Sequence, residues 1–391
     1  MTEQSETGRN RRASPPILQN AFRPFFLGAA SLLVVSIPLW VLAYLGWSEA
    51  PTTLNDHMHE MLFGYLPAIV CGFALTAIPN WTGRAPVMGR GLALLFALWA
   101  VGRLWVFGPE NHVLFGLDLG FLMAIAGVAA REIMFGKNWR NLPILALLFL
   151  LAGAHFLFHW PEFQVYAQRA TLTVATCLIA LIGGRIIPSF TRNWLASTKG
   201  AALAGPMPSS MPAYDKPALV VLVVSLMAWV IWPQNQIVGC GLLLASVVHG
   251  IRLTRWKGLQ TGSEPLVWSL HAGYLWLVLG VGLTGAGILW PDLIPYSAGI
   301  HALSAGMIGT MSLAVMTRVS LGHTGRARRA GPVSTTMYIL VHLGAALRVF
   351  AALNANDPLW LGLGSVFWSL AFVLFLIVYA PMMFAPRFDA N

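Results

Sequence analysis

Charge is what this chain has least of. Asp, Glu, Lys and Arg make up only 10% of its 391 residues, against 57% hydrophobic, a balance outside the range of soluble globular domains. Acidic residues are the scarcer sign, 14 against 24 Lys and Arg. There are three cysteines, Cys71, Cys177 and Cys240, and none forms a CxxC pair. Each falls in an apolar run and reads as a small core residue, which argues against iron–sulfur ligation and a disulfide framework. The glycine patterns of a P-loop and of a dinucleotide fold are missing, as are HExxH and the CxxCH of a c-type haem. No nucleophile–base pair stands out from spacing.

What the chain does have is apolar length. Runs of roughly 17–25 residues, each sufficient for a bilayer crossing, recur at 25–47, 61–79, 90–107, 113–134, 142–160, 166–188, 217–233, 237–253, 266–290, 297–317, 333–353 and 358–384. The expected fold is an all-α polytopic membrane protein of about twelve transmembrane helices. Basic residues cluster before the first run (Arg9, Arg11, Arg12, Arg23) and after every second one: Arg84 and Arg90, Lys137 and Arg140, Arg192 and Lys199, Arg252, Arg255 and Lys257, then Arg318, Arg326, Arg328 and Arg329. Alternate loops carry Glu49, Asp56, Glu110, Glu162, Asp292 and Asp357. This is the positive-inside pattern, and it predicts both termini in the cytoplasm. The net charge of +10 therefore reads as orientation in a lipid bilayer, not as a nucleic-acid footprint. Residues 1–20 are polar and read as a disordered tail. Residues 21–391 read as one transmembrane domain, with a flexible Gly/Pro/Ser-rich linker at about 196–216.

Two distant stretches share a skeleton. His59-Glu60-Met61 leads through an apolar run to Thr82-Gly83-Arg84, and His301-Ala302-Leu303 leads to Thr324-Gly325-Arg326; the His-to-Arg distance is 25 positions in both. A degenerate copy, Ile187-Pro188-Ser189-Phe190-Thr191-Arg192, matches Ile78 to Gly83, with Gln168 and Arg169 in the places of His59 and Glu60. Copies on the second, sixth and tenth spans imply three four-helix pseudo-repeats about an axis along the membrane normal. That plan resembles the catalytic subunits of haem–copper oxidases, an analogy of architecture only.

Histidine within a membrane is a functional candidate because an unpaired ring is costly there. His59 and His301, at matching points, read as facing ligands of something held between their spans, with His57 as a neighbour. On a continuous helix His57 and His59 cannot both face one metal; in an extended segment they can. Glu60 or Asp56 would orient the ring. The competing reading is helix capping and interfacial hydrogen bonding. His249 and His271, on consecutive antiparallel spans, form a second group, with Gly273 leaving space for a flat macrocycle. His323 lies in the second Thr-Gly-Arg loop. His155, His159 and His342 have no repeat partner and read as structural. Arg103, Arg169, Arg185 and Arg348 fall within or at the ends of spans, where an anionic partner is needed. Haem propionates are one such partner; Glu60, Asp118 and Glu132 are the alternative. Gly183-Gly184 beside Arg185 suggests close packing on a bulky flat group.

Ala21-Phe22-Arg23-Pro24-Phe25-Phe26, His57-Met58-His59-Glu60-Met61-Leu62-Phe63-Gly64, Thr76 to Arg84, Gly183 to Trp194, His301 to Arg318 and Ser320 to Arg326 together resemble the NnrS family, in order, from about residue 20 to the C-terminus. The resemblance implies a bacterial inner-membrane protein containing haem (here haem b) and copper, linked to nitric oxide and denitrification. Carried onto this sequence, the candidate ligands are His57, His59, His249, His271, His301 and His323; Arg103, Arg185 and Arg348 are candidate cofactor contacts by their position in the spans, not by the resemblance. The leading expectation is reduction or detoxification of nitric oxide at a haem site, fed by a membrane or periplasmic electron donor. The alternatives are a non-enzymatic nitric-oxide-binding protein and a transporter.

Overall fold

The computed structural model describes residues 14–49, 52–104, 111–199 and 207–388, and the regular structure among them is helical throughout. In chain order it comprises α1 (Phe22–Tyr44), α2 (Leu54–His59), a π-helical segment π1 (Glu60–Tyr65), α3 (Leu66–Thr82), α4 (Gly89–Gly102), α5 (His112–Phe135), α6 (Leu142–Phe158) and α7 (Gln164–Lys199). These are followed by α8 (Asp215–Ile231), α9 (Gln236–Thr254), α10 (Pro265–Leu289), α11 (Tyr296–His301), a second π segment π2 (Ala302–Ile308), α12 (Gly309–His323), α13 (Pro332–Leu353) and α14 (Pro358–Phe384).

The chain is a multi-pass membrane protein. Taking α2 to α3 and α11 to α12 as single rods, ten helices among the described residues are long and apolar enough to cross a membrane. The expectation of about twelve was higher. α4 and α8 occupy the apolar runs at 90–107 and 217–233 as shorter apolar helices of 14 and 17 residues, and residues 105–107 of the first run lie outside the described residues. Residues 1–13 of the expected disordered tail lie outside the described residues; Pro16–Leu18 form one 3-10 turn. The expected linker starts inside α7, which continues to Lys199; residues 200–206 lie outside the described residues.

Two compact units emerge. Unit 1 contains the chain to Thr171, Met316–Arg328 and the chain from Phe372; unit 2 contains Leu172–Val315 and Arg329–Ala371. In unit 1, α1 buries its first half, Phe22 to Leu33. Phe25 stacks on Phe121 of α5 at 5.5 Å between ring centroids, and the Phe22 N–H donates to Thr76 Oγ1 at 3.2 Å. Arg23, expected as a loop charge ahead of the first span, lies inside α1 and is buried. Its Nη1 donates to the carbonyls of Met383 and Ala385, both at 2.7 Å, so it caps the C-terminus of α14, where a cation meets the negative end of the helix dipole. In unit 2, α9 and α10 approach closely through Gly239 and Gly285. A Cβ on Gly285 would meet the Gly239 carbonyl oxygen at 2.8 Å, the small-residue packing that membranes favour.

Both Thr-Gly-Arg motifs end a helix in the same way. Gly83 and Gly325 have φ of +72° and +76°, the left-handed conformation that glycine adopts without a Cβ penalty at a helix C-terminus. Thr82 and Thr324 donate back to the carbonyls of Ile78 and Ser320 at 2.9 and 2.7 Å. The motif is a stop signal, as its placement in the sequence implies.

At the other end of each rod the two copies share a feature that spacing did not announce. His59 and His301 are each followed at once by a π segment, π1 and π2. The stretch with Gln168 and Arg169 in these places is continuous α-helix. A π segment shifts the i→i+4 ladder by one residue, so a carbonyl loses its backbone partner, which is costly away from water. In both, a tryptophan indole donates to a carbonyl inside the segment. Trp99 Nε1 donates to the Gly64 carbonyl at 2.9 Å, and Trp368 Nε1 to the Ala305 carbonyl at 3.1 Å. Trp99→Phe and Trp368→Phe keep the ring but drop the donor. Each is expected to cost about 0.5–1.5 kcal/mol, the net worth of one hydrogen bond, measured from thermal unfolding in detergent. A cost no greater than that of Trp290→Phe, at a half-exposed position, would show that the indoles do not sustain the π segments.

Candidate metal centre

The centre is assembled in unit 1 around the end of α2. This short helix starts on a capping box. Thr53 Oγ1 accepts from the Asp56 N–H at 3.2 Å, and Asp56 Oδ2 accepts from the Thr53 N–H at 2.8 Å. Asp56 is thereby committed to the cap, and Glu60 is left to orient His59. Because α2 is helical, His57 and His59 diverge. The ring of His57 stacks on Trp40 of α1 at 5.0 Å, while His59 turns inward.

Three side chains from three helices meet there. His59 Nε2 lies 3.0 Å from Asp118 Oδ2 on α5 and 3.2 Å from His155 Nε2 on α6; His155 Nε2 lies 3.4 Å from the same Asp118 oxygen. Each of the three residues is only 1% exposed, so water does not solvate them. Asp118 Oδ2 makes no well-angled hydrogen bond despite these contacts. His59 Nδ1 lies 3.2 Å from Glu60 Oε1. With Nδ1–H donated to that carboxylate, the ring nitrogen facing Asp118 and His155 carries its lone pair, the tautomer of a metal ligand. Phe63 stacks on His155 at 4.5 Å and fixes its plane.

This triangle fits a metal. A tetrahedral ion bound at about 2.0–2.1 Å has ligand–ligand edges of about 3.3 Å, and the observed edges are 3.0, 3.2 and 3.4 Å. The donors belong to the set of three or more that can share one ion, and imidazole with carboxylate suits Cu, Zn or Fe. Electrostatics point the same way. Arg103, at the end of α4, donates from Nη1 to Glu60 Oε1 and Oε2 at 2.9 and 3.0 Å and from Nη2 to Asp118 Oδ1. Two carboxylates against one guanidinium leave one negative charge in a buried place, which a bound cation or proton must balance.

The other expected residues have different surroundings. Arg103 takes the acidic partners that were the alternative to a propionate. His323 packs against Phe22 in unit 1 at 5.7 Å, near Thr76 and roughly 25 Å along α3 from His59 at 1.5 Å per residue. His301 lies in unit 2, where its Nδ1 donates to the Ser297 carbonyl at 2.7 Å, which leaves the lone pair on Nε2. Arg348 Nη1 donates to Asn356 Oδ1 at 3.2 Å, and the Arg185 carbonyl accepts from Ser210. His249 has both ring nitrogens in hydrogen bonds, Nδ1 with Tyr274 Oη at 2.7 Å and Nε2 with the Ala218 carbonyl at 3.1 Å. His271 Nε2 is bonded to Thr191 Oγ1 at 2.8 Å, and Gly258 covers its Nδ1 so closely that a Cβ there would meet it at 2.6 Å.

The glycines expected to leave room for a flat group are filled by protein. Gly273 faces the Met311 backbone at 3.3 Å from its would-be Cβ, and Gly184 faces the Arg252 guanidinium. Arg252 is itself fully buried and paired with Asp215 at 2.6 Å. Within unit 2, the site expected at His249 and His271 is therefore closed to a macrocycle. Sequence reasoning missed His155, which lacks a repeat partner, and saw Asp118 only as a counter-charge.

The family model described as NnrS protein matches residues 16–387. No curated protein matches the chain.

Arg103→Met leaves Glu60 and Asp118 buried without their counter-charge. The expected cost is about 3–5 kcal/mol of stability, read as a lower thermal midpoint in detergent. Added copper should recover more in this variant than in the wild type, because its centre carries one further negative charge. Wild-type stability in the variant would mean that the guanidinium does not hold the carboxylates.

Proposed function

The chain belongs to the NnrS family of membrane proteins implicated in the nitric oxide response, and on that premise we propose that it holds copper at His59, Asp118 and His155 and acts there on nitric oxide. The family is associated with haem and copper, and the three-donor triangle is the observation that carries the reading. Copper, when bound, supplies a redox-active Lewis acid with affinity for a small diatomic ligand. The chain's own residues do the rest. Glu60 fixes the tautomer of His59, Arg103 turns the free oxygen of Asp118 towards the histidines, and Phe63 and Phe158, the latter 5.2 Å from Phe63, exclude water. A dry apolar surround favours a neutral, sparingly hydrated substrate over an anion.

The basic loops support a bacterial inner-membrane location with both termini cytoplasmic, which puts the His59 end on the outer side. The shared π segments support kinship of two of the three pseudo-repeats within a twelve-span plan. Haem b fits less well. At His249 and His271 the ring nitrogens already bond Tyr274, the Ala218 carbonyl and Thr191. No step is derived through it.

The test is metal content and nitric oxide chemistry of detergent-purified protein. Wild type should retain copper. His155→Ala and Asp118→Ala should lose most of it while eluting as intact protein, and His57→Ala should keep it. Glu60→Gln should weaken binding by roughly 10–100-fold, as outer-shell changes do. Anaerobic consumption of nitric oxide with a supplied reductant would mark a reductase; a nitric-oxide-dependent spectral change without consumption would mark a binding protein. Copper retained at the wild-type content in both His59→Ala and His155→Ala would overturn the site.

A further inference from the structure

The triad is not the only histidine group on these helices. On α6, His159 follows His155 by four residues and is the helix C-cap, still in helical conformation; positions i and i+4 lie on one face. On α5, His112, Phe115 and Asp118 follow one another at three-residue steps, each a surface neighbour of the next. The two helices are consecutive and pack together, so these residues form the rungs of a ladder. Asp118 meets His155 at one rung. Phe115 is next, edge-on to His155 at 5.8 Å and stacked on His159 at 4.1 Å. His112 meets His159 at the last, with ring centroids 5.6 Å apart.

Burial falls along the same line. His155 and Asp118 are buried, His159 and Phe115 half-buried, and His112 exposed. The step from His155 to His159 is about 6 Å along the helix axis, one turn. Ring centroids 5.6 Å apart suit two imidazoles that turn one nitrogen each towards a shared ion. A metal buried as deeply as the triad would be needs a route from water, and an apolar wall alone would keep a hydrated ion out.

We infer that His112 and His159 form a copper-loading site at the mouth of the centre, which takes the ion from solution and hands it past Phe115 to His155. This rests on the triad's being the copper site. His112 and His159 capture the ion by exchanging its water for imidazole nitrogen. Phe115, whose ring face is on His159 and whose edge is on His155, separates the two stations and presents a π-surface to the passing cation.

Timed copper loading tests this. Metal-free protein in detergent is given limiting copper as a weak chelate, quenched with a strong chelator and assayed for bound metal. His112→Asn and His159→Ala should reach the wild-type copper content but approach it severalfold more slowly. His112 is exposed at a helix start, so its substitution leaves the fold intact. In the His155→Ala background a weak copper signal with nitrogen splitting should remain by electron paramagnetic resonance, and His159→Ala should erase it. Loading at the wild-type rate in both single variants overturns the proposal, as does a residual signal that survives loss of both histidines. Wild-type protein that acquires no copper in the triad refutes the triad reading instead; a His159-dependent signal would still stand in that case as a separate surface site.

Discussion

Everything at the candidate centre depends on one guanidinium. Glu60 and Asp118 come from different helices, and in a membrane two carboxylates would repel each other and lack solvent. Arg103 donates to both and makes their approach affordable. Its geometry also decides which oxygens remain. By taking Asp118 Oδ1 it aims Oδ2 at the histidines, and by engaging Glu60 it holds the acceptor that sets the His59 tautomer. A lysine, with a compact charge and no planar fork, does not bridge two carboxylates in this fixed arrangement. The bridge neutralises incompletely, and the residual negative charge gives the pocket its preference for a cation.

The second constraint is backbone accounting. An α-helix satisfies itself in lipid, and a π segment does not. The chain carries a π segment twice, each time directly after a histidine, and each time an indole N–H from another helix donates into it. Where the histidine is replaced, at Gln168, the helix stays regular. Irregularity and ligand candidate thus occur together, in keeping with the tendency of π segments to mark functional places.

Much of this was legible in the sequence. The membrane class followed from composition and the spans from apolar length. The Thr-Gly-Arg ends read as turns because glycine after a helix has few other uses. His59 stood out because polar rings in lipid need a reason. What failed to show was tertiary. His155 sits on a helix with no counterpart in the repeat, so a search for matched pairs passed over it, and only the packing of α5 and α6 brings it to Asp118. Gly184 and Gly273 signalled room without saying what fills it; Arg252 and the Met311 backbone do. Arg23 looked like a loop charge because it precedes the first long apolar run, yet two carbonyls at the end of a helix far along the chain draw it inside. His57 and His59 left helix and extended readings open until the capping box at Thr53 and Asp56 settled them.

The π segment after His59 also has a rotational meaning. It holds one residue more than the α-helical path between the same two points. Removing a single residue from 60–65 lets the rod revert to an ordinary helix of nearly unchanged length and phase, whereas straightening the same residues into α-helix would swing whatever precedes them by about 100° in azimuth, the angle per residue of an α-helix. The insertion therefore works as an indexing notch. It sets the phase of the ligand end independently of the membrane-spanning end, so that a helix packed for the bilayer on one side can present its histidine in a direction that its own periodicity would forbid.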